Sequence, residues 1–249
     1  MKNLAVDTQL LTQKFGNYDA VKNLTLQIPE GEVFGFLGHN GAGKTTTIHM
    51  LTTLTKSTSG TAKIFGLDVK HNAQAVRQLI GYVPENVRLY DSLTTRENLM
   101  FFAGLSGIKD ARKKIDEALE FLMITDLADK RVGSFSKGMR QRVGLAQAIQ
   151  HEPKLLFLDE PASGLDPIGM KMLRELINQL NKEKKMTVFM NTHLLSEVSK
   201  TCTSIGVLSQ GKLVLHNSVE EVSRHYGHEE ALEKLYLNVH TDQKSGVVT

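Results

Sequence analysis

The run Gly38-His39-Asn40-Gly41-Ala42-Gly43-Lys44-Thr45 constrains this chain more than any other feature, because of what flanks it. Before it stands Val33-Phe34-Gly35-Phe36-Leu37, apolar enough throughout to read as a strand buried on both faces. After it, Ile48, Leu51 and Leu54 recur near one stripe, so a helix is expected over 45–54, ended by the Ser/Thr/Gly-rich stretch 57–61. A strand-loop-helix unit of this kind suits a dense negative charge. Gly41 and Gly43 let backbone N–H groups converge where a Cβ would block approach, Lys44 adds a point charge, and Thr45 offers a hydroxyl to Mg2+. The helix that follows aims its positive dipole end at the same place. Gly38, Asn40, Gly41, Ala42, Gly43, Lys44, Thr45 and Thr46 are therefore the expected nucleotide-binding residues. Alone, the loop would serve a kinase, a GTPase or an ATPase equally well, and a glycine-rich turn that only joins strand to helix is the competing reading.

The remaining segments frame that unit. Residues 4–28 alternate as half-buried strands do, with Leu24, Leu26 and Ile28 on one side and Thr25 and Gln27 on the other, which predicts a small antiparallel sheet before the turn at Pro29-Glu30-Gly31. Over 86–152 the pattern becomes helical: Thr94 and Glu97 are spaced as a capping box, and Ala111 to Met123 carries Ile115, Ala118, Leu119 and Leu122 on one face. After Pro153 the alternation resumes, with a strand at 155–158, a helix bearing Leu173, Leu176, Ile177 and Leu180, and a strand at 188–190. Residues 204–216 read as a hairpin turned by Gln210-Gly211, Ser218 with Glu221 caps a last helix, and the tail from Gln243 looks frayed. The expected fold is α/β: a P-loop NTPase core with a mainly parallel sheet, an N-terminal antiparallel β subdomain and an inserted α-helical subdomain at about 86–152. One domain over 1–225 and a C-terminal extension over 226–249 follow.

A chain of 249 residues, 41% of them hydrophobic, can fill such a core. Its 30 basic and 27 acidic side chains leave +3, too slight a bias to argue for nucleic acid or anionic lipid as the main partner. The single cysteine, Cys202, and the lack of an apolar leader or of eighteen consecutive apolar residues fit a soluble cytosolic protein that crosses no membrane unaided. His39, His49, His71, His151, His216, His225 and His228 show no metal-ligand spacing and read as exposed or locally bonded imidazoles. The basic runs Lys182 to Lys185 and Lys109 to Lys114 are interrupted by acidic residues and read as solvated helix ends.

A second chemical motif is Leu155-Leu156-Phe157-Leu158-Asp159-Glu160, an apolar strand ending in two carboxylates. That is where a P-loop nucleotidase keeps its magnesium-orienting acid, so Asp159 joins Thr45 as a metal-side ligand. Glu160, one residue on, points differently and suits polarisation of the water that attacks the γ-phosphate. An acidic pair after a strand is by itself as well explained by a helix cap or a solvated loop; its pairing with the glycine-rich loop carries the assignment.

Phe135-Ser136-Lys137-Gly138-Met139-Arg140-Gln141-Arg142, shortly before the acidic strand, resembles the signature sequence of ATP-binding cassette (ABC) ATPases, usually Leu-Ser-Gly-Gly-Gln. Ala162-Ser163-Gly164-Leu165-Asp166 is similar to the D-loop of that family, and His193 after Met190-Asn191-Thr192 to its switch histidine. The resemblance covers about residues 4–225. It implies a head-to-tail dimer, expected as a homodimer, in which the loop of one copy and Ser136, Lys137, Gly138 and Met139 of the other enclose each ATP. Glu160 and His193 are then the catalytic residues, Asp166 meets the partner besides capping the next helix, and ATP with Mg2+ is the ligand pair. Loss of the γ-phosphate would reopen the dimer and turn chemistry into motion. Such proteins offer an aromatic ring to adenine; the position is matched by Phe15, with Tyr18 the alternative and packing of Phe15 inside the small sheet the competing reading.

Three of the departures from the family pattern bear on the chemistry. Glu85 stands where glutamine is usual, as a further possible Mg2+ ligand, and Lys137 and Met139 replace Gly and Gln. The combination resembles the exporter-type group whose ATPase and membrane subunits are separate chains. The expected function is therefore ATP hydrolysis that drives transport, in the export direction, through a separate integral membrane subunit gripped by the helical lobe, with the chain peripheral on the inner face of the cell membrane and no nucleic-acid partner. The alternatives are a soluble ABC ATPase acting on ribosomes or nucleic acid, and an ATP-regulated switch with little turnover.

Overall fold

The computed structural model describes residues 3–226. Two long strands, β1 (Leu4–Phe15) and β2 (Tyr18–Pro29), open the chain as a hairpin, and the alternation at 24–28 is realised with Leu24, Leu26 and Ile28 buried and Thr25 and Gln27 exposed. Then come β3 (Val33–Leu37), α1 (Lys44–Leu51), β4 (Ser59–Ile64), β5 (Leu67–Asp68), α2 (Ala73–Leu79) and β6 (Ile80–Val83). The helical segment supplies α3 (Thr95–Leu105), α4 (Ala111–Phe121) and α5 (Lys137–Ile149). The α/β order returns with β7 (Leu155–Asp159), α6 (Pro167–Lys184), β8 (Thr187–Thr192), α7 (Leu195–Thr201), β9 (Ser204–Ser209), β10 (Lys212–Ser218) and α8 (Val219–Tyr226).

The strands form two sheets. One is antiparallel, in the order β2-β1-β4-β5; the other runs β10-β9-β3-β8-β7-β6 and is parallel except for β10. The parallel sheet explains the continuous apolar strands, since each of its faces packs on something. Phe34, Phe36, Phe157 and Phe189 face the antiparallel sheet and α1, with ring centroids 5.2–5.3 Å apart around Phe189. Leu37, Leu156, Leu158, Val188 and Met190 face the opposite way, toward the helical segment and α6. Each fully buried phenylalanine contributes about 1.5–3 kcal/mol.

Local sequence signals set the ends of several elements. Thr94 and Glu97 form the expected capping box on α3, Ser218 Oγ accepts from Glu221 N ahead of α8, and Gln210-Gly211 turns the β9–β10 hairpin with positive φ at both residues. The helix expected over 45–54 stops earlier. Thr53 takes φ 65°, Leu54 N turns back to His49 O, and Leu54 is left exposed outside the core. In the same way α4 ends at Phe121 because Met123 takes φ 52°, while Leu122 still reaches the core. No helix among the described residues is long and apolar enough to cross a membrane. His228, the frayed tail and the extension beyond Tyr226 lie outside the described residues.

Candidate functional site

The carboxyl ends of β3, β8 and β7 lie side by side, with β8 in the middle, and Asn191 is in register with both Phe36 and Asp159. Ligand sites of open α/β sheets form at this edge. The glycine-rich loop leaves β3 here, clamped from behind. A Cβ on Gly38 would come 2.5 Å from Leu208 O, and one on Gly43, which caps α1 at φ 107°, would come 2.3 Å from Ala20 O. Gly41, at φ 81°, has open space where its Cβ would be, so the front of the loop is accessible. Ala42 N closes onto His39 O at 3.1 Å, and Thr47 Oγ1 ties the start of α1 to Gly43 O at 2.9 Å.

Lys44 is buried in this bend. Its ammonium donates to Gly38 O at 2.7 Å and His39 O at 3.3 Å and stands 3.3 Å from Glu160 Oε1. Thr45 Oγ1 donates to Asp159 Oδ1 at 3.1 Å. The loop and the acidic pair are thus joined twice, Lys44 to Glu160 and Thr45 to Asp159, the latter 114 residues apart in sequence.

The two acids are held differently. Asp159 accepts from Thr45 and from Asn191 Nδ2, and its charge lies near the Tyr82 hydroxyl. Burial pushes its carboxyl above the usual range, with Glu160 adding to the rise, while the bonds from Thr45 and Asn191 and the nearby His49 pull it back. Burial followed by the charge of Asp159 pushes the Tyr82 phenol up, and its hydroxyl also lies 3.3 Å from His49 Nε2. Glu160 sits at φ 48°, and its N–H donates to Asn191 O at 3.1 Å and Asn191 Oδ1 at 3.3 Å. Its other oxygen, Oε2, is 2.8 Å from His193 Nδ1. A carboxylate can only accept, so Nδ1 of this exposed ring is the donor in the contact.

Phe15 and Tyr18 face each other across the tip of the first hairpin, both exposed, and the Tyr18 hydroxyl donates to Gly41 O at 3.2 Å. Phe15 is therefore not packed inside the sheet. The segments at 135–142 and 162–166 form a second group. Ser136 caps α5, its Oγ accepting from Met139 N at 3.3 Å, which leaves its own proton to donate. Asp166 caps α6, accepting from Gly169 N at 2.7 Å ahead of Pro167. Lys137 and Glu85 both bond to Ser163, so the carboxylate of Glu85 is engaged there. Asn191, Tyr82 and His49 are the residues that sequence reasoning missed. The one available signal was a carboxamide directly after the apolar run 188–190, since a buried polar side chain at the end of that strand must have a partner. Among the described residues no cluster of His, Cys, Asp and Glu could hold a metal ion on its own.

Residues 21–163 match the ABC transporter family. The chain is 41% identical over 244 residues to a bacitracin transport ATP-binding protein, BcrA, of Bacillus licheniformis, spanning 98% of this chain and 77% of that protein. Among solved structures it resembles CbiO1 of Clostridium perfringens, described as part of the transporter complex cbiONQ, with a TM-score of 0.82, 27% identity, and coverage of 95% of this chain and 96% of that one. It also resembles the cassette MJ0796, solved as a dimer in a post-hydrolysis state with ADP and Pi: TM-score 0.78, 26% identity, covering 86% and 98% of the two chains.

Proposed function

Because the chain belongs to the ABC transporter family of ATP-binding proteins, we propose that Glu160 and His193 hydrolyse ATP held on the loop at 38–46, and that closure of two such chains around ATP drives transport through a separate membrane subunit. The observation that carries this is the joining of the loop to the acidic pair, Lys44 to Glu160 and Thr45 to Asp159.

Each residue has a role its contacts support. The N–H groups of the loop and of the first turn of α1 face a triphosphate from the open side at Gly41, and Lys44 exchanges Glu160 for phosphate oxygens. That exchange frees Glu160 to accept a proton from the attacking water, while His193 steadies its second oxygen. The Thr45 hydroxyl and the Asp159 carboxylate are hard oxygen donors 3.1 Å apart beside the phosphate site, which fits Mg2+, and a buried carboxylate is relieved by a cation. When bound there, Mg2+ would neutralise phosphate charge. Phe15, with Tyr18 beside it, offers a ring to adenine.

Ser136, Lys137, Gly138 and Met139, at the exposed start of α5, complete the site of a second copy, and Asp166 meets that copy at the start of α6. The free proton of Ser136 and the N-terminal amides of α5 are donors suited to a γ-phosphate. The domain over 1–225 thus forms half of each of two sites. Tyr90, Met100, Phe101 and Leu105 form an exposed apolar patch on the helical segment just past Glu85, with Tyr90 and Phe101 edge to face at 5.0 Å, and aromatic patches of this kind favour protein contact. The membrane subunit docks there and holds the chain at the inner face of the membrane; the residues at 85 and 136–139 favour export. Purifying the tagged chain from solubilised membranes tests this reading. A multi-spanning protein is expected to co-purify, and ribosomal proteins in its place would overturn the assignment.

A further inference from the structure

Glu85 and Lys137, two of the departures from the usual family residues, lie on opposite sides of one hydroxyl. Lys137 Nζ donates to Ser163 Oγ at 3.4 Å, and Ser163 Oγ donates to Glu85 Oε1 at 3.2 Å. A hydroxyl can accept from a cation while donating to an anion, so the opposite charges are linked through it. The lysine stem also crosses the D-loop: a Cβ on Gly164, itself at φ 72°, would come 3.3 Å from Lys137 Cδ. One residue on, a Cβ on Gly138 would come 3.4 Å from Leu165 Cδ2.

The two ends of α5 are held by different means. Its C-terminal half is packed closely: a Cβ on Gly81 of β6 would come 2.4 Å from Ala148 O, and one on Gly144 would come 2.7 Å from Val87 Cγ2. At its N-terminal half a groove of about 530 Å3 opens toward α6, lined in part by Lys137, Gly138, Leu145, Gly164 and Leu173. Beside that groove the polar link through Ser163 ties the signature turn to the loop that follows β7.

We propose that Glu85, Ser163 and Lys137 act as one positioning unit, which fixes the signature turn, the D-loop and the loop after β6 to one another within a single chain. The inference rests on the proposed role of residues 136–139 toward the second copy. Glycine at 137 could not make the link, and glutamine at 85 would bring no charge to it. The signature and the D-loop therefore approach a second copy as one body, and a change at either end of the link is felt at the other.

Hydrogen exchange of residues 163–166 in the isolated chain, without nucleotide, tests the link directly. Lys137→Ala and Glu85→Ala are expected to speed exchange there several-fold, on the order of 3–10-fold, and Lys137→Arg to preserve the wild-type rate. Exchanging the charges, Glu85→Lys with Lys137→Glu, should restore protection that each single reversal destroys. In ATPase assays each alanine variant should lose about fivefold in kcat with KM for ATP nearly constant, and the double variant should be no slower than the slower single one. Single effects that multiply in the double variant, or exchange at 163–166 unchanged in Lys137→Ala, would overturn the proposal. A wild-type chain that fails to hydrolyse ATP would instead contradict the proposed function and leave the exchange result standing.

Discussion

The ammonium of Lys44 and the carboxylate of Glu160 stand 3.3 Å apart, with only 6% and 11% of the two side chains exposed. Removing one partner of a pair this buried leaves the other charge uncompensated. Lys44→Ala is therefore expected to lose about 3 kcal/mol of unfolding free energy, and adding Glu160→Gln should recover most of it. ATP turnover should fall by about 10²-fold or more in the same variant. Denaturant melts and a phosphate-release assay read the two effects, and unchanged turnover would contradict the role of the loop.

Among the described residues Asn191 is the one side chain bonded to both acidic residues, donating to Asp159 and accepting from Glu160 N. Asn191→Leu keeps the volume but strands these groups, which should cost about 1–3 kcal/mol of stability. Because the lost bonds orient the carboxylate proposed to hold Mg2+, the Mg2+ concentration for half-maximal turnover should rise, while ATP binding without Mg2+ should hold. A Mg2+ titration identical to that of the wild type would rule out this positioning role.

His151 Nε2 lies 2.9 Å from Ile80 O, and burial holds its pKa below the ordinary 6.5, partly offset by that bond. The neutral ring donates to the carbonyl, so the native state binds fewer protons than the unfolded chain in the window just below pH 6.5. Stability is then full above that pH and declines as the pH falls toward the depressed native value, by at most about 1.4 kcal/mol per pH unit for one proton. His216, lowered by burial as well, adds a slope of the same sign. Unfolding curves of His151→Gln and wild type between pH 5 and 8 should converge at acid pH, and a constant difference would refute the linkage.

The patch at Tyr90 and Phe101 predicts partner loss without loss of fold. Alanine at both positions should cost docking about 1–2 kcal/mol, which moves the tagged chain from the membrane pellet to the supernatant roughly tenfold. Equal partition of variant and wild type would remove the patch as the docking surface.

Much of this was legible in the sequence because the signals are local. Spacing alone marked the capping box at Thr94 and Glu97, the cap at Ser218 and the hairpin turned at Gln210-Gly211, and the structure has each of them. The continuous apolar strands at 33–37 and 155–158 announced a sheet covered on both faces. Where prediction failed, single residues at positive φ decided. Nothing in the periodicity of Ile48, Leu51 and Leu54 reveals that Thr53 leaves the helix, since the pattern continues past the break. The support of the acids was hidden for another reason: strand order places Asn191 beside Asp159, 32 residues away, and strand order is not a local property. The link between Glu85 and Lys137 was hidden likewise, although each had stood out as a departure from the family pattern.

The central claim is that hydrolysis by Glu160 ends a closed, ATP-bound pair of chains. Size-exclusion chromatography of Glu160→Gln with ATP and Mg2+ tests it most directly. The variant should elute as a dimer that persists while ATP is present, because closure is stabilised by bound ATP and no longer ended by turnover. Elution as a monomer under saturating ATP would contradict the account.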